Sequence, residues 1–207
     1  MTVRAFVATS NRGKLLEILP LIREYFPNLP LFEGRAPHGA DEIENTFVGN
    51  ALIKAHALAL ELQGESTGEF WVLSDDSGLE VDALGGAPGV HSARYAGTQA
   101  ACIQRVVREL QALAVPLEKR TCRYRCALVL LHVADGATRE WVGRGAFEGK
   151  IVFDARGASG FGYDPIFLIE PRGKTMAELE YDDKNSFSHR RHAFEDLRSQ
   201  VGTRIGG

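Results

Sequence analysis

The sequence lacks the features that mark membrane proteins, secreted scaffolds and proteins that coat nucleic acid. It has no apolar run near 18 residues, and its first residues do not form a signal peptide. The formal net charge of −3 argues against a general nucleic-acid coat, which would need a strongly basic face. Three cysteines are an odd number and too few for a disulfide scaffold. We therefore expect a cytoplasmic protein that binds neither membrane nor nucleic acid.

The cysteines also say little for a metal centre. Cys122 and Cys126 fall on a predicted strand, and no second pair of ligands accompanies them elsewhere. A zinc site is therefore disfavoured, and reduced thiols in a cytosolic protein are the simpler interpretation.

The chain has enough apolar material for a full core, since 44% of its 207 residues are hydrophobic. The strongest candidate site is Ser74-Asp75-Asp76-Ser77-Gly78-Leu79, which follows the apolar run 70–73. Such a run is typical of a strand buried on both faces. Two adjacent carboxylates at the end of a strand suit Mg²⁺ and the activation of a water molecule. Because Asp, Ser and Gly are also the usual turn residues, a plain turn is the alternative.

A second polar loop lies near the start of the chain. The apolar segment Val3–Thr9 ends at Ser10-Asn11-Arg12-Gly13-Lys14, and a helical pattern with Pro20 inside it follows. We expect Pro20 to kink or restart this helix. Backbone N–H groups at a helix start favour an anion, and Lys14 would add a full charge. The spacing is not that of a Walker A motif.

The next long helix is predicted from Thr46 to Gln63, with Gly64 as its stop, after a loop over residues 30–45. Asn50 and Lys54 lie four residues apart and off its apolar stripe. Their simplest interpretation is a solvated face.

The second half of the chain contains a predicted hairpin and two further polar segments. Asp135-Gly136 separates two apolar runs, which predicts antiparallel strands. Three glycines in 157–167, beside the aromatic residues Phe161 and Tyr163, would let the backbone approach a flat ligand, although such loops are also common structural turns. Four potential cations fall within eight residues, Lys184–Arg191, and such a run is usually a solvated helix face.

Six motifs in chain order closely resemble those of the inosine triphosphate pyrophosphatase family. They are Thr9-Ser10-Asn11-x-x-Lys14, Asn50-Ala51-x-x-Lys54-Ala55, Asp75-Asp76-Ser77-Gly78-Leu79, Gly85-Gly86-Ala87-Pro88-Gly89-Val90-x-Ser92-Ala93-Arg94-Tyr95, Gly160-Phe161-Gly162-Tyr163-Asp164-Pro165 and Lys184-Asn185-x-x-Ser188-His189-Arg190.

The resemblance extends from residue 3 to about residue 200 and implies both a fold and an activity. The implied fold is α/β: a long twisted mixed sheet flanked by helices, with two lobes and the active-site cleft between them. It would form one domain over residues 1–207 and assemble as a homodimer. The implied activity is Mg²⁺-dependent hydrolysis of dITP, ITP and XTP to the monophosphate and pyrophosphate, a house-cleaning reaction that keeps these nucleotides out of nucleic acid.

The resemblance also implies roles for single residues. Asp76 would bind Mg²⁺ and accept a proton from the attacking water, with Asp75 beside it and Ser77 touching the substrate. The phosphate-binding residues would be Thr9, Ser10, Asn11, Arg12, Gly13 and Lys14. The purine pocket would be formed by Phe161, Gly162, Tyr163, Asp164, Lys184, His189 and Arg190.

The chain departs from the family pattern in two places. Where family members commonly carry a Glu-Glu-Thr-Gly-like stretch, it has the shortened Ile43-Glu44-Asn45-Thr46. We therefore expect Glu44 to be the second metal ligand, with Glu42 as the alternative. Ser74 stands where Ala is usual, which we expect to matter little.

Arg190 carries a specific hypothesis about base choice. A guanidinium offers only donors, which match the 6-oxo group of hypoxanthine and xanthine but not the 6-amino group of adenine.

Two other function classes stay open: a pyrophosphatase for modified pyrimidine nucleotides and a nucleotide-binding regulator without turnover. The intact Asp75-Asp76 pair argues against the regulator.

Overall fold

A computed structural model describes residues 3–65 and 68–202 of the chain. Its strands and helices, in chain order, are β1 (Arg4–Val7), α1 (Arg12–Tyr25), β2 (Phe32–Gly34), α2 (Phe47–Glu65), β3 (Phe70–Val81), α3 (Gln99–Ala112), β4 (Thr121–Ala134), β5 (Ala137–Ile151), β6 (Phe167–Ile169), β7 (Lys174–Thr175), α4 (Tyr181–Asn185) and α5 (His189–Val201).

The strands form one seven-stranded sheet in the order β2-β1-β3-β4-β5-β6-β7. Strand β1 pairs in parallel with both β2 and β3, whereas β6 pairs antiparallel with β5 and β7. The sheet is therefore mixed, and the predicted α/β class is confirmed. None of the helices within residues 3–65 and 68–202 is long and apolar enough to cross a membrane.

The chain divides into two compact units built from interleaved segments. Unit 1 comprises Met1–Asp76, Cys126–Gly145 and Arg190–Gly207, as far as these residues are described, and unit 2 comprises Ser77–Arg125 and Ala146–His189. The prediction of a single domain stays a prediction.

Unit 1 has three layers because its strands bury both faces. Trp71 and Leu73 of β3 pack in a core cluster with α1 and α5. Their neighbours Phe70 and Val72 pack in a second cluster with α2. Side chains alternate along a strand, so the continuous apolar run 70–73 supplies both clusters, as the sequence predicted.

Unit 2 has one main cluster, in which α3 covers the second half of β3 and the first half of β4. Leu79, Val81, Cys122 and Tyr124 come from these strands, and Val106 is among the residues from the helix. Between β3 and α3 the chain forms two short 3₁₀ helices, Asp82–Leu84 and Gly89–Arg94.

Several predicted boundaries are wrong. Strand β3 does not end at Leu73 but continues through the two aspartates to Val81, so the stretch 74–79 is not a turn. The predicted loop 30–45 contains β2, and α2 runs past Gly64 to Glu65. Pro20 lies inside an uninterrupted α1 and does not restart it.

The predicted hairpin is confirmed. Asp135 and Gly136 lie between β4 and β5, and both have positive φ, 51° and 74°. These are the values that a two-residue type I′ turn requires, and they explain why an Asp-Gly pair occupies the turn.

Candidate active site

The start of α1 is organised by Asn11. Its side-chain oxygen caps the helix by accepting from the Lys14 amide at 3.1 Å, and its own amide donates to Thr9 Oγ1 at 3.1 Å. Ser10 and Arg12 are exposed beside this cap, and Gly13 is half-buried. The predicted phosphate-binding residues therefore lie together at the positive end of a 14-residue helix, which favours an anion.

Asp75 is a buried carboxylate held by several donors. Lys14 Nζ lies 2.5 Å from Oδ1, Arg190 Nε lies 3.3 Å from Oδ2, and the Cys126 thiol donates to Oδ2 at 3.2 Å. Burial opposes ionisation, but the positive charges of Arg190 and Lys14 outweigh it and hold the pKa of Asp75 well below its usual value. Asp75 is thus a fixed anion that anchors Lys14.

Arg190 is buried between two carboxylates of unit 1. Besides Asp75, its Nη1 contacts Glu17 Oε2 at 2.6 Å, and both Glu17 and Arg190 are almost fully excluded from solvent. Glu17 lies one helical turn after Lys14 on α1. The predicted base-reading role of Arg190 stays a prediction, and these contacts give it a structural partner that the sequence did not reveal.

Asp76 faces a different cation. Lys54 Nζ donates to Asp76 Oδ1 at 2.9 Å, to the backbone oxygen of Asp75 at 2.7 Å and to Glu42 Oε1 at 2.8 Å. Burial raises the pKa of Asp76 above its usual value even though the charge of Lys54 opposes this. For Lys54 the balance is reversed: burial would lower its pKa, but the attraction of Asp76 and the bond to Glu42 raise it. The two adjacent aspartates thus have opposite environments.

Asn50 ties the loop before α2 to this cluster. Its side-chain oxygen accepts from the Glu44 amide at 3.0 Å, and its Nδ2 donates to the Glu44 backbone oxygen at 3.2 Å and lies 3.5 Å from Asp76 Oδ2. The Glu44 side chain is exposed, whereas Glu42 is half-buried and shares Lys54 with Asp76. Of the two candidate metal-binding glutamates, Glu42 has the described contact with the acid cluster.

Unit 2 contains a separate cluster around Asp164. Its Oδ2 accepts from Lys184 Nζ at 2.6 Å and from the Phe161 amide at 2.9 Å. Its Oδ1 accepts from the hydroxyl of Tyr124 at 2.9 Å. The ammonium of Lys184 also lies 5.2 Å from the centre of the Phe161 ring, within cation–π range.

Of the other members of the predicted purine pocket, Gly162, Tyr163 and His189 belong to the same unit, whereas Arg190 belongs to unit 1. The ring of His189 stacks on that of Tyr124 at 4.8 Å. Tyr163 is buried, and its hydroxyl donates to the backbone oxygen of Ser92 at 2.8 Å. Gly160 and Gly162 have positive φ, which glycine adopts at little cost.

The structure groups the predicted residues by unit. Lys14, Asp75, Asp76 and Arg190 meet in unit 1, and Phe161, Asp164, Lys184 and His189 meet in unit 2. Ser77 is the first residue of unit 2 and is half-buried on β3. The interpretation of Lys184–Arg191 as a solvated face is wrong for Lys184, His189 and Arg190, which are buried.

Sequence reasoning missed several members of both clusters. Lys54 and Asn50 are buried, so their interpretation as a solvated face is wrong. Their signal was the i, i+4 spacing together with membership of a family-like motif. No comparable signal marked Glu17 or Tyr124, because a single polar residue in an amphipathic pattern carries no information about its partner.

The chain is similar to known proteins over nearly its full length. The model of the Ham1 family matches residues 5–200 of the chain. A dITP/XTP pyrophosphatase of Synechococcus sp. (strain CC9311) is 43% identical over 204 residues, 97% of this chain and 91% of the relative. A dITP/XTP pyrophosphatase of Geobacillus kaustophilus (strain HTA426) is 41% identical, with 97% of this chain and 95% of the relative covered. Among solved structures, a HAM1 protein from Coxiella burnetii superimposes with a TM-score of 0.77 at 34% identity over 97% of this chain and 98% of that one.

The chain therefore belongs to the Ham1 family, and the resemblance inferred from the six motifs is confirmed.

Proposed function

We propose that this protein is a nucleoside-triphosphate pyrophosphatase that hydrolyses non-standard purine nucleotides (dITP, ITP and XTP) to the monophosphate and pyrophosphate. The observation that carries the proposal is the pair of adjacent acids on β3, one anchored by Lys14 and the other bound to Lys54. Relatives named dITP/XTP pyrophosphatases that match nearly the full chain support it.

The donor set around Lys54 fits Mg²⁺. Carboxylate oxygens of Glu42 and Asp76 and the Asp75 carbonyl already surround one positive charge, the Lys54 ammonium. No group of three His, Cys, Asp or Glu side chains suited to a metal occurs in the described part of the chain. Mg²⁺ is commonly held by only one or two carboxylates together with substrate phosphates, so Asp76 with Glu42 or Glu44 would suffice. When bound, the ion supplies positive charge that neutralises the phosphates and polarises oxygen.

The residues of unit 1 divide the remaining chemistry between them. Lys14 and the amides at the start of α1 bind the triphosphate, because cations and oriented N–H groups compensate phosphate charge. Asp76 accepts a proton from water as the bond between the α and β phosphates breaks and pyrophosphate leaves. Asp75 takes no proton, because Lys14 and Arg190 stabilise its ionised form. Hydrolysis by such positioning and charge neutralisation needs no covalent nucleophile.

The Asp164 cluster of unit 2 supplies the purine site. Phe161 offers an aromatic face for stacking, and the amide and cationic donors around Asp164 and His189 offer hydrogen bonds to the base.

We also propose a homodimer acting on the cytoplasmic nucleotide pool, where removal of dITP and XTP would keep them out of nucleic acid.

A substrate panel tests the proposed function. Pyrophosphate release should be rapid with dITP and XTP in Mg²⁺, slow with dATP, dUTP and dTTP, and abolished by EDTA until Mg²⁺ is restored. Preferential turnover of dUTP would indicate a pyrimidine enzyme instead, and binding of dITP without product would indicate a regulator.

The variant Asp76→Asn tests the proposed role of Asp76 as proton acceptor and metal ligand. We expect turnover to fall by about 10²–10⁴-fold, because a proton acceptor and a metal ligand are lost together. Asp82→Asn, which alters an exposed aspartate paired with Arg123, is the matched control and should retain full activity. More than about a tenth of wild-type turnover in saturating Mg²⁺ would remove Asp76 from this role.

A further inference from the structure

Tyr124 contacts two residues of the predicted purine pocket although it lies outside every motif of the family resemblance. It is a buried residue of β4, 7% exposed. Its hydroxyl donates to Asp164 Oδ1 at 2.9 Å, and its ring stacks on the His189 ring at 4.8 Å with an interplanar angle of 22°. The same ring also stacks on Phe167 at 4.6 Å, so its own orientation is fixed by packing.

The hydrogen bond determines how Asp164 is presented. The terminal torsion of an aspartate is broad, so donors on one oxygen leave the plane of the carboxylate loosely defined. Lys184 and the Phe161 amide both bind Oδ2, whereas Tyr124 binds Oδ1. Donors on both oxygens fix the plane, and the Phe161 backbone is fixed with it.

The stacking contact acts on the other side of the cluster. His189 is the first residue of α5, and its ring lies nearly parallel to that of Tyr124. Stacking of this kind restricts the tilt of the imidazole. A single rigid side chain on a central strand therefore restrains both Asp164 and His189.

We propose that Tyr124 is a positioning residue for base recognition, which acts through Asp164 and His189 and prepares the Phe161–Asp164 loop for the purine. This inference rests on the proposed function, since it concerns the purine site of the same enzyme. The hydrogen bond and ring contacts of Tyr124 join it to Asp164, His189 and Phe167, all within unit 2 and two of them in the proposed purine site. Its loss should therefore weaken base binding and leave the chemical step unchanged.

The test uses Tyr124→Phe, which keeps the ring and removes only the hydroxyl. Calorimetry measures binding of inosine monophosphate and, separately, of inorganic tripolyphosphate, and kinetics give KM and kcat for dITP. We expect affinity for inosine monophosphate to fall about three- to tenfold and KM to rise by a similar factor, the range for loss of one buried hydrogen bond. Tripolyphosphate affinity and kcat should stay within about twofold.

Tyr95→Phe is the matched control, because Tyr95 also donates its hydroxyl to a carboxylate, Glu109, in the same unit. It should leave both affinities unchanged. A double-mutant cycle that combines Tyr124→Phe with Asp164→Asn adds a second measurement. If Tyr124 acts through Asp164, the losses of inosine monophosphate affinity in the two single variants will not add in the double variant. If Tyr124→Phe does not fold, site-specific replacement of Tyr124 by 4-fluorophenylalanine, which keeps the ring and nearly the same volume but offers no donor, takes its place with the same expected results.

Unchanged affinity for inosine monophosphate in the variant, additive effects in the cycle, or equal losses for both ligands and kcat would each overturn the inference. So would a wild-type protein that does not bind inosine monophosphate, since there would be no purine site to position. A wild-type protein that binds it but releases no pyrophosphate from dITP would overturn the proposed function alone.

Discussion

Two neighbouring aspartates on one strand differ because different cations reach them. Asp75 is surrounded by Lys14, Arg190 and the Cys126 thiol, which favour its ionised form. Asp76 shares Lys54 with Glu42, and burial raises its pKa. The sequence identified the pair as the chemical centre, and the family resemblance gave metal binding and proton transfer to Asp76 but left the role of Asp75 open. Only the tertiary contacts show that Asp75 is the acid paired with Lys14 and Arg190.

Arg190 provides a prediction at this scale. Arg190→Ala leaves the buried carboxylates of Glu17 and Asp75 without this partner, and breaking a buried pair typically costs about 3–5 kcal/mol of unfolding free energy. Because Asp75 also anchors Lys14, we expect kcat/KM to fall for dITP and dATP alike. Chemical denaturation and steady-state kinetics on both substrates measure these effects.

The adjacent residue supplies the control. Arg191 forms a more exposed pair with Glu24, so Arg191→Ala should change stability by no more than about 1 kcal/mol and leave kinetics intact. If Arg190→Ala instead kept its stability and lost only the preference for dITP over dATP, Arg190 would be the reader of the 6-oxo group.

For the strands and helices, the apolar patterns in the sequence predicted the observed structure better than the polar patterns did. The run 70–73, the Asp-Gly hairpin and the amphipathic helices all formed as expected. The length of β3 was not predictable, because Ser74–Gly78 has turn composition. The strand continues there because its acids pair with cations from α1, α2 and α5, of which Lys54 and Arg190 are buried and Lys14 is half-buried. Local propensity yields to tertiary contacts of this kind.

The loop from Gly160 to Asp164 gives an element-scale prediction. A Cβ at Gly160 would lie 2.1 Å from Asp164 Oδ2, and its φ is +75°. Gly160→Ala should therefore displace the carboxylate and raise KM for dITP, beyond the backbone strain of roughly 1–2 kcal/mol.

Gly173→Ala separates the two effects, since Gly173 has φ +63° with nothing within 4 Å of the added Cβ. Gly173→Ala should lower the melting temperature, because of the backbone strain, and leave the KM for dITP unchanged. Equal KM values in the two variants would mean that the position of Asp164 does not govern substrate binding.

For the whole molecule, the comparison with relatives establishes the family, and the resemblance predicts a homodimer. Sedimentation equilibrium at about 1–100 µM should give twice the mass of one chain throughout, as expected for a stable interface. A monomer mass across this range would contradict that prediction.

The interleaving of the two units could not be predicted from the sequence, because no linker composition marks a boundary that falls inside β3.

That interleaving determines the order in which the protein is completed during translation. Every segment of unit 2 has been synthesised once residue 189 is added, whereas unit 1 still lacks α5. The core cluster around α1 includes four residues of α5, Ala193, Phe194, Leu197 and Val201. Glu17 of α1 pairs with Arg190, which is synthesised 173 positions later. Nascent domains generally fold from the N-terminus onward. Here the unit that contains the first strand is completed after the other unit, and Asp75 gains its arginine partner only when a residue 115 positions later in the chain has been added.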